Sequence, residues 1–195
     1  IPFRPEFSTC FYYINTFDEL GLALNPTMPL NGTALNQEEV LLIRDWIESG
    51  APNRDGKVCF SDNTDGGKYF ISNQGCDEVA VFDQQTDLCM RYVKVGKYPN
   101  IETPHMLKMS PDGHYFYVVF SVGNGAMNYL QKFSAMDQQL VGEVNLGAGS
   151  WNTFTISANG KRGYPVDWSP NGGPADINLE TMTVIANYQG NLINP

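Results

Sequence analysis

The chain has 195 residues, of which 17% are charged and 12% aromatic, with 19 glycines and 12 prolines. This is the composition of a folded, turn-rich β protein and excludes a disordered chain. Twenty-one acidic against 12 basic residues give a net charge of −9 with no basic stripe, which argues against nucleic acid as a partner, and no apolar run is long enough to span a bilayer.

Residues 1–55 read differently from the rest. Phe7 to Phe17 is rich in aromatics (Phe11, Tyr12, Tyr13) and is expected to form a short helix. Leu24 to Leu30 is a loop set by Pro26 and Pro29. A longer helix follows: Asn36 is the expected N-cap, and Glu38 and Glu39 sit in the first turn, where the helix dipole favours acid. Val40, Ile43, Trp46 and Ile47 define its apolar face, Gly50 is placed to stop it, and Pro52 lies beyond.

Asn53 to Lys57 reads as a linker, after which the hydrophobic period changes from 3.6 to 2. Over residues 56–195 the strands expected are Val58–Ser61, Tyr69–Asn73, Glu78–Asp83 and Leu88–Val95. A second set starts at Met106 and continues through Tyr115–Ser121, Asn128–Ser134 and Leu140–Leu146. A third starts near Thr153 and continues through Gly163–Trp168, Ala175–Asn178 and Thr183–Ala186. Each set is opened by a tight turn: Asp65-Gly66-Gly67, then Ser110-Pro111-Asp112-Gly113, then Ser157-Ala158-Asn159-Gly160. Lys68 to His114 spans 46 residues and His114 to Lys161 spans 47. A fixed period of this size, filled with short strands, indicates a β-propeller. The expected fold class is therefore mainly β: an incomplete propeller of about three four-stranded blades behind a small helical segment.

Cys10, Cys59, Cys76 and Cys89 form no C-x-x-C and no zinc spacing, and are expected to be mostly buried small apolar residues. One disulfide could close in an oxidising compartment, and the spacing does not choose the pair. His105 falls where an inner strand begins and could face the central channel, either as part of a metal or redox site or as a hydrogen-bonded structural residue. His114 follows a turn glycine and is expected to be exposed. Asp83, Asp112 and Asp137 suit turn chemistry. Asp62, Asn63, Thr64 and Asp65 make an oxygen cluster without the calcium-loop pattern. No nucleophile with its base is recognisable, so catalysis is not the expected role. An enzyme of propeller-dehydrogenase type would need further acids or histidines in the channel.

The repeats resemble the YVTN-type β-propeller family, on Tyr69-Phe70-Ile71-Ser72-Asn73, on Val79-Ala80-Val81-Phe82-Asp83, and on the turns Ser110–Gly113 and Ser157–Gly160. Residues 1–55 resemble the C-terminal half of a bacterial class I cytochrome c domain. That resemblance rests on Met28-Pro29-Leu30, on Leu35 to Val40, and on Ile43-Arg44-Asp45-Trp46-Ile47-Glu48-Ser49-Gly50-Ala51. It implies that Met28 is a haem axial ligand; the alternative is a methionine filling a gap against the last helix. The family attaches haem through C-x-x-C-H, which is absent here: Cys10 is single, and His105 and His114 both lie in the repeats.

The resemblances together imply a segment of a bacterial envelope protein, periplasmic or at the cell surface. Its role would be electron transfer or docking of a redox protein, with haem c in the full-length parent. The alternative is a haemless propeller acting as a scaffold in an assembly. Both ends are expected to be internal to a longer chain, with C-x-x-C-H ahead of Ile1. The rest of the propeller, or a partner chain, is expected to complete the ring, because open sheet edges invite pairing.

Overall fold

The structure is a computed structural model that describes residues 2, 4–60 and 66–188. The chain divides into two compact units, Ile1–Gly66 with Phe82–Arg91, and Gly67–Val81 with Tyr92–Pro195.

In the first unit, helix α1 (Thr9–Ile14) follows a single 3₁₀ turn, and the Oγ of its N-cap, Ser8, accepts from Phe11 N–H. Helix α2 (Gln37–Glu48) carries a full capping box: Asn36 Oδ1 accepts from Glu39 N–H, and Glu39 Oε2 accepts from Asn36 N–H. Gly50, at φ 98°, ends it. Phe11 and Ile14 of α1 pack with Val40 and Ile47 of α2, flanked by Tyr12, Phe17, Leu20, Leu35 and Ile43. Trp46 departs from the expected face and is 47% exposed, its indole N–H donating to Pro52 O at 2.9 Å. At about 100° per residue Trp46 lies roughly 120° from Val40, whereas Ile43 and Ile47 lie within about 60° of it.

Eleven strands follow among the described residues: β1 (Lys68–Asn73), β2 (Glu78–Asp83), β3 (Cys89–Lys94), β4 (Pro104–Met109), β5 (Tyr115–Phe120), β6 (Asn128–Ser134), β7 (Leu140–Gly147), β8 (Trp151–Ile156), β9 (Arg162–Asp167), β10 (Ala175–Asn178) and β11 (Thr183–Asn187). They form three sheets ordered β1-β2-β3, β4-β5-β6-β7 and β8-β9-β10-β11. The two four-stranded sheets are antiparallel meanders. Strand β4 lies against β8; β1, the first described strand of its sheet, lies on β4, and β5, the second of its own, lies on β8. Inner strands converging in this way are the arrangement of consecutive propeller blades.

The first sheet corrects the expectation of four strands. Cys59 and Phe60 stand in a turn, with Phe60 at φ 61°, a left-handed conformation that no strand adopts. Ser61 and the oxygen cluster Asp62–Asp65 lie outside the described residues. Among the described residues the sheet is three-stranded, and no strand takes the place that β4 and β8 hold in the other two.

The turns between the first and second strands of the other two sheets are built alike. Ser110 Oγ donates to Asp112 Oδ1 at 2.5 Å and accepts from Tyr115 N–H at 2.9 Å, while Gly113 N–H closes the turn onto Ser110 O. Ser157, Asn159, Arg162 and Gly160 repeat the same bonds. Gly113 and Gly160 sit at φ 74° and 72°, where glycine is favoured. The strand ends also repeat: Asp83 Oδ2 accepts from Thr86 N–H, and Asn178 Oδ1 from Glu180 and Thr181 N–H.

The core of the second unit lies between the sheets. On β5, Tyr117 and Val119 face the third sheet and pack with Leu130, Val144, Trp151, Phe154, Ile177 and Leu179. On its other face Phe116 stacks on Phe133 (5.0 Å) and meets Phe70 of β1 (4.8 Å). A strand buried on both faces needs a continuous apolar run, which Tyr-Phe-Tyr-Val-Val-Phe supplies. None of the four cysteines is buried, contrary to expectation. Each sits in a turn, a helix start or a strand margin rather than in a core strand.

Candidate functional site

Met28 lies in the loop between Pro26 and Pro29. The loop is held on α1 by two backbone bonds, Leu24 N–H to Tyr12 O (2.9 Å) and Met28 N–H to Tyr13 O (2.8 Å). Its side chain is 37% exposed, so the thioether is reachable from outside the Phe11–Val40 core. Residues 1–60 contain no histidine, and Cys10 and Cys59 are far apart in sequence and unpaired. The residues of this unit therefore do not by themselves fit a c-type haem, which needs an attachment pair and a proximal imidazole.

His105 lies on the inner strand β4 and is exposed. Pairing of β4 with β5 skips from Pro104↔Phe120 to Met106↔Val119, so His105 is the extra residue of a β-bulge. On β8 the pairing skips from Trp151↔Asp167 to Thr153↔Val166, and Asn152 is the extra residue there. Bulges re-aim side chains and are common beside functional sites. The two bulges meet: His105 Nδ1 is 2.8 Å from the backbone oxygen of Asn152. A carbonyl only accepts, so Nδ1 is the donor, and in the neutral imidazole the lone pair is then on Nε2, the tautomer that can bind a metal through Nε2. His114 is exposed at the Ser110–Gly113 turn, 3.3 Å from Asp112 Oδ2, and has no part in this arrangement. Among the described residues no three His, Cys, Asp or Glu side chains gather into a set able to hold a metal ion.

Two further features were not legible in the sequence. Glu102, fully buried, stands just before β4. One carboxylate oxygen accepts from the backbone N–H groups of Lys97 and Tyr98, and the other has no hydrogen-bond partner among the described residues. Asp77 accepts from Glu102 N–H (2.7 Å) and Thr103 N–H (2.9 Å) and so fixes the entry into β4. Gly96 leaves room for the acid, since a Cβ there would lie 2.7 Å from Glu102 Oε1. At the opposite end of the sheets, Lys132 Nζ lies 4.0 Å from the centre of the Tyr115 ring and donates to Leu179 O at 3.0 Å. Burial lowers the Lys132 pKa, and burial first, then the Asp112 charge, pushes the Tyr117 hydroxyl up to about 12. The Asp112 carboxyl is held below its usual range by the Ser110 hydroxyl and then by His114 N–H. A lone Glu or Lys inside a strand-rich stretch carries no motif, which is why only the fold reveals them.

No protein-family model matches the chain, and no curated protein does. Solved structures do. Hydrazine synthase of Kuenenia stuttgartiensis matches 65% of this chain and 35% of its own at 22% identity, with a TM-score of 0.56. The dihydro-heme d1 dehydrogenase NirN, solved in complex with DHE, matches 62% of this chain and 24% of its own at 13% identity, with a TM-score of 0.50. At these identities the likeness is one of fold, and it agrees with the propeller-like stacking of the sheets. The chain spans about a third and about a quarter of the length of these two proteins.

Proposed function

We propose that this chain is part of a bacterial envelope protein in which a cytochrome c-like segment, residues 1–55, precedes a YVTN-type propeller, residues 56–195. Its role is electron transfer or the docking of a redox partner. The observation that supports the reading is the pairing of two things in one chain: a Met28-Pro29 loop held on α1 ahead of the capped helix α2, and sheets similar in fold to part of the dihydro-heme d1 dehydrogenase NirN. Met28 is the residue offered to haem in the full-length parent. His105, exposed at the bulge with Nδ1 held by Asn152 O, is offered to a metal or redox group at the propeller axis. A haem stain and a Soret band on the full-length parent test this reading: both are expected, and a parent without haem and without an upstream C-x-x-C-H sinks it.

A second reading is supported by the edges. Among the described residues β1 ends its sheet and shows Tyr69 and Ile71, and β11 ends the third sheet and shows Val184 and Ile185. Half-exposed apolar residues on end strands suit a scaffold whose ring is completed by the rest of the parent or by a partner chain. Size-exclusion and thermal melting of the isolated 195 residues check this. Association or a broad transition is expected, and a sharp monomeric transition would count against it.

A further inference from the structure

A cavity of about 360 Å³ opens in the second unit between the second and third sheets, and neither Met28 nor His105 lines it. It lies where the Ser110–Gly113 and Ser157–Gly160 turns stand side by side: a Cβ on Gly160 would lie 3.5 Å from Pro111 Cδ.

Two polar groups on its wall are left open. Tyr117 is 1% exposed, and its hydroxyl makes no hydrogen bond among the described residues, yet it is not one of the unpartnered polar atoms closed off from solvent. The little of Tyr117 that is exposed therefore includes its hydroxyl. Lys132 stands on the same wall, with Nζ 4.0 Å from the centre of the Tyr115 ring and 5.8 Å from that of Tyr117. It donates one N–H to Leu179 O at 3.0 Å and makes no ion pair among the described residues. Tyr115, Tyr117 and Leu179, the groups around Nζ, all line the cavity, which puts the ammonium at its surface. A part-buried ammonium ordinarily faces an anion, and it has three protons to donate.

The acids nearby already have partners. Asp112 takes the Ser110 hydroxyl at 2.5 Å and His114 N–H at 3.0 Å, and Glu180 Oε1 lies 3.4 Å from Lys161 Nζ. Both act on Lys132 only through space, and their charge disfavours a dianion more than a monoanion. A carboxylate accepts on both oxygens, so it answers an ammonium and a phenol together, in the charge-assisted bonds that are the strong ones. The Tyr115 and Tyr117 rings and Leu179 give apolar wall to the body behind it. The volume is at the small end for ligand sites.

We propose that this cavity binds a small monocarboxylate with an apolar body, with Lys132 Nζ and Tyr117 Oη donating to its carboxylate. The test is calorimetric titration of the full-length protein with benzoate, with benzamide as the uncharged mimic of its shape and inorganic phosphate as the general anion. Saturable millimolar binding of benzoate is expected, with none for benzamide and at least tenfold weaker binding of phosphate. Tyr117→Phe keeps the ring and removes the donor, and should weaken benzoate binding about tenfold, the loss of one hydrogen bond. Lys132→Gln removes the charge and should weaken it further; Tyr117→Phe decides alone where Lys132→Gln disturbs folding. No binding of benzoate, benzamide or phosphate binding as tightly, or benzoate binding unchanged in either variant would overturn the proposal.

Discussion

Strands β1 and β5 occupy the same place in their repeats, the second strand after a tight turn, yet their surroundings are opposite. On β5, residues Phe116 to Phe120 are all buried, because an inner strand, an outer strand and a neighbouring sheet on each face enclose them. On β1 exposed residues alternate with half-buried ones, and Ile71 is 53% exposed. Both are rich in aromatic and β-branched residues, so local propensity does not separate them. What differs is the inner strand. In the second repeat it is β4, joined to β5 by the Ser110–Gly113 turn; in the first, Phe60 adopts a left-handed backbone in the stretch where that strand would run. The turn sequences differ in the same sense. Gly66 stands where Asp112 and Asn159 stand, so no side chain at that position can receive a hydroxyl proton.

The comparison is most strongly tested by truncating one side chain on each strand. Phe116→Ala removes a fully buried ring stacked on Phe133 and is expected to cost about 3–5 kcal/mol in chemical denaturation of the full-length protein. Ile71→Ala is expected to cost under about 1 kcal/mol. Equal costs would mean that β1 is covered in the whole protein, and would place an inner strand or partner against it. Next comes the turn. Gly113→Ala meets no neighbour within 4 Å, so its expected cost of about 1–2 kcal/mol is purely that of the left-handed backbone. A smaller loss follows from Lys132→Met, about 1 kcal/mol, as the ammonium leaves the Tyr115 ring and Leu179 O loses its donor. Denaturation of each variant reads these directly.

The least effect near neutral pH belongs to Tyr117. Its pKa is raised from 10 to about 12 in the folded protein, so the neutral hydroxyl is favoured by folding. That contribution is fully present below pH 10 and is lost as pH rises from 10 to 12. Absorbance of the phenolate should show a late-titrating component that Tyr117→Phe removes.

Much of the architecture is written locally. The capping box of Asn36 and Glu39, the Ser110 and Ser157 turns and the 46- and 47-residue spacings depend on neighbours in sequence, and each reappears in the structure with the bonds its residue types call for. The helix face was read correctly at Val40, Ile43 and Ile47 and missed at Trp46, where the indole found a carbonyl outside the helix. The candidate site was legible only as a position. His105 could be placed at the start of an inner strand from the repeat alignment. That it is a bulge residue, and that Asn152 of the next repeat fixes its tautomer, depends on two strands 47 residues apart coming together. The same is true of Asp77 on Glu102 and Thr103, and of Lys132 under Leu179 O. Sequence by itself determined the period, the turns and the helix caps, because those follow from the conformational preferences of a few adjacent residues. Among the described residues, tertiary structure alone decided how many strands the first sheet has, which apolar residues are sheltered and which polar groups are left without a partner, because burial is a property of what arrives from elsewhere in the chain.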